Sequence, residues 1–271
     1  MEWLELVLAF VTAAIGALGG LGGAILLVPL LVLTGMSPRV AAPLGLVSVA
    51  AGSLAAAAPQ LDERTVNHRI GLTTELVAGV GAVAGALGSG VASDRFLQRF
   101  LAVVAIAAAI LGGRRKGMRN VPDPTLGPDD IGEHVGALSG AYPLDDEVVP
   151  YQANRVGAGL GFFGLSGLLA GMAGASGGFI KTPATSEVMH VPVRVAAATT
   201  SFTIGLTAAT GLVVMAVQGR LELQECAAVT VGSMLGGRVG ALLQSRLSPP
   251  QVRRFLSAVL IVVGIVLLVR A

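Results

Sequence analysis

One lysine set in an apolar stretch is the residue of this sequence best placed to do chemistry. Lys181 stands three positions past Gly178 in the segment GMAGASGGFIKTP. If that stretch lies in a membrane, a charge near its centre costs about 2.5 kcal/mol or more. Its ammonium must then reach the interface, pair with an acid such as Glu187, or hold a substrate anion. A hydroxyl cluster, Thr199, Thr200, Ser201 and Thr203, follows in the next apolar run. Hydroxyls donate to an anion without adding charge, or bond to a carbonyl one turn back in their own helix. The glycines around Lys181 recur in GALGGLGGAILLVP. Both clusters can serve close helix packing, or break a helix and expose a positive dipole end that favours an anion. Arg238, inside another apolar run, is a second candidate buried charge, whereas Glu75 is expected to form a solvated pair near His68 and Arg69.

Other chemistries are excluded by what surrounds these residues. The glycine segments lack the preceding strand of a dinucleotide fingerprint and the terminal Gly-Lys-Ser or Gly-Lys-Thr of a P-loop. Cys226 is the one cysteine, and His68, His134 and His190 fall at unrelated spacings, so neither a disulfide nor a metal site is expected. No nucleophile and base pair suggests an enzyme, and no cofactor is called for.

The elements that must position Lys181 are membrane helices. Of the 271 residues 54% are hydrophobic and 13% charged, with a mean hydropathy of +0.79, against roughly 25% charged in a soluble domain. Apolar runs cover residues 4–33, 40–58, 70–92 and 96–112, then 156–188, 193–217, 227–244 and 255–269. A span needs about 20 apolar residues. Between the two sets of four, residues 113–155 carry Arg114, Arg115, Lys116 and Arg119, three prolines at 122, 124 and 128, and seven acids from Asp123 to Glu147, which reads as a solvated, cytoplasmic loop. The start Met-Glu-Trp lacks the basic region of a signal peptide, so the first run is expected to persist as a span. The net charge of +2 is explained by topology, and nucleic acid is not an expected partner.

Residues 1–112 and 156–271 form two related transmembrane repeats. Gly16, Gly19, Gly22 and Gly23 recur at one offset as Gly171, Gly174, Gly177 and Gly178; Pro29 answers Pro183, Arg39-Val-Ala-Ala answers Arg194-Val-Ala-Ala, and Arg99-Phe-Leu answers Arg254-Phe-Leu. The fold expected is an all-α membrane protein whose halves each hold a broken or re-entrant glycine-rich helix and about three transmembrane helices. If all eight units cross, the basic residues divide nine to seven; if the glycine-rich units are re-entrant and the halves inverted, they divide eleven to five. The positive-inside rule favours the second, with both termini outside.

The segments GLGGAILLVPLLVLTGMSPRVAA, RRKGMRNVPDP and GMAGASGGFIKTPATSEVMHVPVRVAAATTSFTIGLTAATG resemble the TauE/SafE sulfite exporter family, also called TSUP. The resemblance implies a secondary carrier of sulfite, sulfoacetate or other small sulfur-containing anions in the cell membrane. It places the family's signature regions on Gly19, Gly22, Gly23 and Pro29, and on Gly174, Gly177, Gly178, Lys181, Pro183, Thr199, Thr200 and Ser201. Where the family's first half usually carries hydroxyls, this chain reads Pro43-Leu44-Gly45. The partners expected are a small anion and the lipid bilayer, with a homo-oligomer left open. The rival readings are a passive anion channel and a membrane protein that docks a partner through its central loop.

Overall fold

The computed structural model describes residues 2–19, 23–62, 64–113, 131–144, 147–244 and 249–271. In the first half these form α1 (Glu2–Gly19), α2 (Ala24–Leu33), α3 (Pro38–Asp62), α4 (His68–Val91) and α5 (Asp94–Gly113). In the second half α6 (Val156–Ala173) is followed by the short α7 (Gly178–Pro183), a π-helical segment (Ala184–Val188), α8 (Val193–Val217), α9 (Leu223–Gln244) and α10 (Pro249–Arg270). Among the described residues, four helices are long and apolar enough to cross a membrane, within α3, α4, α6 and α8. On α4, Leu72, Leu76, Val80, Leu87 and Val91 are all exposed at helical spacing, an apolar stripe of the kind that faces a bilayer or a partner.

Small residues set the packing. A Cβ built on Gly167 of α6 would lie 1.9 Å from the Ala78 carbonyl oxygen of α4, and one on Gly171 2.1 Å from that of Ala82. Gly232, Gly236 and Gly240 of α9 approach Leu6, Phe10 and Ala14 of α1 equally closely. Such stripes let helix backbones touch, and in both pairs residue numbers rise together, so the paired helices run parallel. The halves therefore interleave: α1 lies on α9, and α6 on α4. Two other pairs run the other way. Gly205 of α8 faces Ser53 of α3 while Gly211 faces Leu46, and between α5 and α10 Gln98 donates to Leu267 O at 3.2 Å while Ser257 donates to Ala109 O at 2.9 Å. Both pairs are antiparallel.

The central segment departs from the expected solvated loop. Its described part contains β1 (Gly132–Glu133), β2 (Ser139–Leu144) and β3 (Glu147–Gln152), an antiparallel sheet in the order β1-β2-β3. Tyr142 and Tyr151 are buried against Ile70, Met189, Val191 and Val195 at the helix ends. Gly140 lacks a side chain because one would meet the Tyr151 hydroxyl. The segment RRKGMRNVPDP lies outside the described residues.

Candidate functional site

At the first glycine cluster Gly23 lies against the backbone of Thr12 and Ala13 of α1. The second cluster, described throughout, turns the chain back on itself. Gly174 closes α6 in the left-handed region at φ +65°, which glycine adopts without the penalty a Cβ brings. Gly177 then lies against Ser166, whose hydroxyl donates to Gly177 O at 2.8 Å. The return ends where α6 began, with the Asn154 amide donating to Met189 O at 2.8 Å. Within it Pro183 lacks the amide an α-helix needs, and the next turn widens to π geometry, in which the Met189 amide donates to Ala184 O. Such π turns recur at functional sites.

Lys181 projects from this returning segment and is completely buried. Its partner is Glu75: Nζ donates to both carboxylate oxygens, at 2.9 and 2.8 Å, and to Thr207 Oγ1. Thr207 in turn donates to Glu75 Oε1, and the Phe163 ring centroid lies 5.5 Å from Nζ. The expected solvated pair of Glu75 with Arg69 and His68 is thus corrected. Glu75 is 5% exposed because it lies two turns into α4, on the face toward α8. The four groups come from α4, α6, α7 and α8, one helix of the first half with three elements of the second.

The other candidates distribute unevenly around that pair. Thr199 Oγ1 accepts the Asn67 amide at 3.0 Å, and Thr203 Oγ1 donates to Thr199 O at 3.0 Å. Thr200 Oγ1 is buried without a hydrogen-bond partner among the described residues, while Ser201 is half-buried. Pro29 is buried within α2, Gly19 ends α1, and Gly22 lies outside the described residues. Gly178 opens α7 with its amide 3.4 Å from Ser176 Oγ. The missing hydroxyl at Gly45 has a packing reason, since a Cβ there would sit 2.0 Å from Gly174 O. Arg238, expected to be buried, is exposed, because hydropathy alone does not separate a lipid-facing from a protein-facing position.

Two features escaped the sequence reading. Asn67, fully buried, caps α4 by accepting the Ile70 amide at 2.9 Å and donates through Nδ2 to Ser139 O at 3.2 Å and Tyr151 Oη at 3.0 Å. Burial and the nearby Glu133 push the Tyr151 phenol up to about 12, against the Asn67 hydrogen bond. An asparagine immediately before a helix is an N-cap signal, which was there to be found. At the opposite end, a cavity of about 530 Å³ is lined by Arg39, Gln218, Arg220 and Glu222 among others. Arg220 donates to Ser89 Oγ at 2.8 Å and to Arg39 O, and Arg39 pairs with Asp94 at 3.1 Å. Burial and the neighbouring Arg39 charge pull the Arg220 guanidinium below its ordinary range, with Asp94 opposing.

Over residues 5–267 the sequence matches the family described as sulfite exporter TauE/SafE. A probable membrane transporter protein of Bacillus subtilis (strain 168), YunE, is 26% identical over 271 residues, with 95% of this chain and 94% of the relative covered. No solved structure matches.

Proposed function

The chain belongs to the sulfite exporter TauE/SafE family, and we propose that this multi-pass membrane transporter is a secondary carrier of small sulfur-containing anions, such as sulfite or sulfoacetate, working by alternating access. The observation that carries this reading is Lys181, a wholly buried cation on a folded-back segment. A cation held that deep marks a substrate path more often than a structural contact. The Thr200 hydroxyl, buried and without a hydrogen-bond partner among the described residues, supplies a neutral donor on the neighbouring α8.

The halves are read as an inverted repeat with re-entrant glycine hairpins, each half crossing three times. Antiparallel α3 and α8, antiparallel α5 and α10, and the return of the α6–α7 segment to its starting end support this. So does the eleven-to-five division of basic residues, which puts the central segment in the cytoplasm. Because the halves interleave, the units that rock are α1 to α3 with α9, and α6 to α8 with α4. The small residues between α3 and α8 are their sliding surface.

The test is counterflow of labelled sulfite into proteoliposomes, challenged with sulfate, sulfoacetate and phosphate. Saturable, competable exchange is expected. Flux that never saturates and shows no exchange belongs to a passive channel, and no movement of any sulfur anion removes the substrate class.

A further inference from the structure

Lys181 has no donor left to offer. An ammonium carries three protons, and here two go to the Glu75 oxygens and one to Thr207. An anion arriving at this lysine must displace a group that already holds one of its protons, and Glu75, which holds two and carries the matching charge, is the one whose place it fits. If Glu75 stays ionised, the exchange leaves two negative charges against one positive in a site whose side chains are 0% and 6% exposed, where uncompensated charge is penalised most heavily. If Glu75 takes up a proton as it leaves, the site stays neutral throughout. The neutral carboxyl then carries one O–H donor, and the Thr207 hydroxyl beside it can turn to accept.

Nothing else near Glu75 can balance the charge. From α7 it meets Lys181, from α8 Thr203 and Thr207, and the Phe163 ring of α6 flanks the lysine; Lys181 is the charged neighbour among the described residues. The repeat does not duplicate the device. With Gly81 and Gly85 answering Gly232 and Gly236, Glu75 corresponds to Cys226, and by the offsets of the other matched motifs Lys181 and Thr207 correspond to Leu26 or Leu27 and to Gly52. Among the described residues Glu75 is the one carboxylate paired with a lysine.

We propose that Glu75 is a tethered stand-in for the substrate and that each monovalent anion crosses together with one proton carried on Glu75. This rests on the carrier reading above. The proton binds a Glu75 oxygen as the anion binds Lys181, and it leaves when the anion leaves and the ion pair reforms. No bond is made or broken in the anion.

The experiment is accumulation of a labelled monovalent sulfonate, whose conjugate acid is too strong to cross the lipid uncharged, in proteoliposomes with the membrane potential clamped at zero by potassium and valinomycin and the outside one pH unit more acidic. Coupling one proton to each anion brings its inside-to-outside ratio to about ten, against about one for the passive distribution of an uncoupled anion at zero potential, since a tenfold ratio is the equivalent of one pH unit. Glu75→Gln, whatever its rate, is expected to reach only the passive distribution. A wild-type plateau at the passive distribution overturns proton coupling, and a Glu75→Gln plateau equal to wild type overturns the assignment to this residue. Should the glutamine variant fail to purify as a folded species, Glu75→Asp retains a carboxyl and must keep the tenfold ratio at a lower rate; losing it overturns the assignment. Counterflow at equal pH, run in parallel, separates the two levels: its absence in wild type sinks the carrier reading, and its presence with a passive plateau sinks the proton alone.

Discussion

Replacing Lys181 with methionine removes the charge while keeping most of the side-chain volume, and the consequence follows from the geometry of the pair. At 2.8 Å, and with an effective dielectric of about 20, the gross attraction is about 6 kcal/mol, most of it offset by desolvation of both ions. Removing one partner leaves Glu75 buried without compensation, which costs about 3–5 kcal/mol. Read as thermal unfolding of the purified protein in detergent, that is a fall of roughly 10 °C in midpoint. Lys181→Met/Glu75→Leu removes both charges at once and should recover most of the loss, ending within about 1–2 kcal/mol of wild type, the residue of that difference being the Thr207 hydroxyl. Stability is thereby separated from transport, since neither variant can hold an anion through Lys181. A double variant as unstable as the sum of the two singles would refute the reasoning, because the loss would then come from packing and not from an orphaned charge.

Other outcomes follow from the same structure. Gly167→Val forces a side chain into the Ala78 carbonyl and should destabilise the α4–α6 contact by about 1–3 kcal/mol, whereas Gly161→Val on the open face of the same helix should leave the melting midpoint within a degree or two. Tyr151 is held near 12 by burial against about 10 when unfolded. Its contribution is therefore intact below pH 10 and lost as pH rises from 10 to 12, by about 2.7 kcal/mol in all; Tyr151→Phe should remove that part of the alkaline slope in unfolding measured against pH. In a Cys226→Ala background, an impermeant thiol reagent applied to intact cells should label Arg95→Cys, and label Gln152→Cys only after permeabilisation. Equal labelling of both from outside contradicts the inverted topology.

Much of this architecture was legible in the sequence, because membrane helices are written in long apolar runs and breaks in glycine and proline. The lysine stood out for the same reason: one charge in an apolar run needs a partner. Its partner was not legible. Glu75 is 106 residues away, and close to His68 and Arg69 in sequence it reads as a surface acid; only the parallel packing of α4 on α6 and α8 turns it inward. The sheet was hidden by its composition, with Pro143 and Pro150 in the strands and acids around them, where charge and proline signal a loop. Arg238 failed in the opposite direction, since its apolar neighbours Leu235, Val239 and Leu242 are exposed and not packed against protein.

The most direct test of the central claim is equilibrium binding of labelled sulfite to the purified protein beside the Lys181→Met/Glu75→Leu variant, whose folding is expected to be intact. Saturable binding by wild type at one anion per chain, absent from the variant, is the result predicted here. Equal binding by both would place the anion elsewhere and leave the Lys181–Glu75 pair a structural contact.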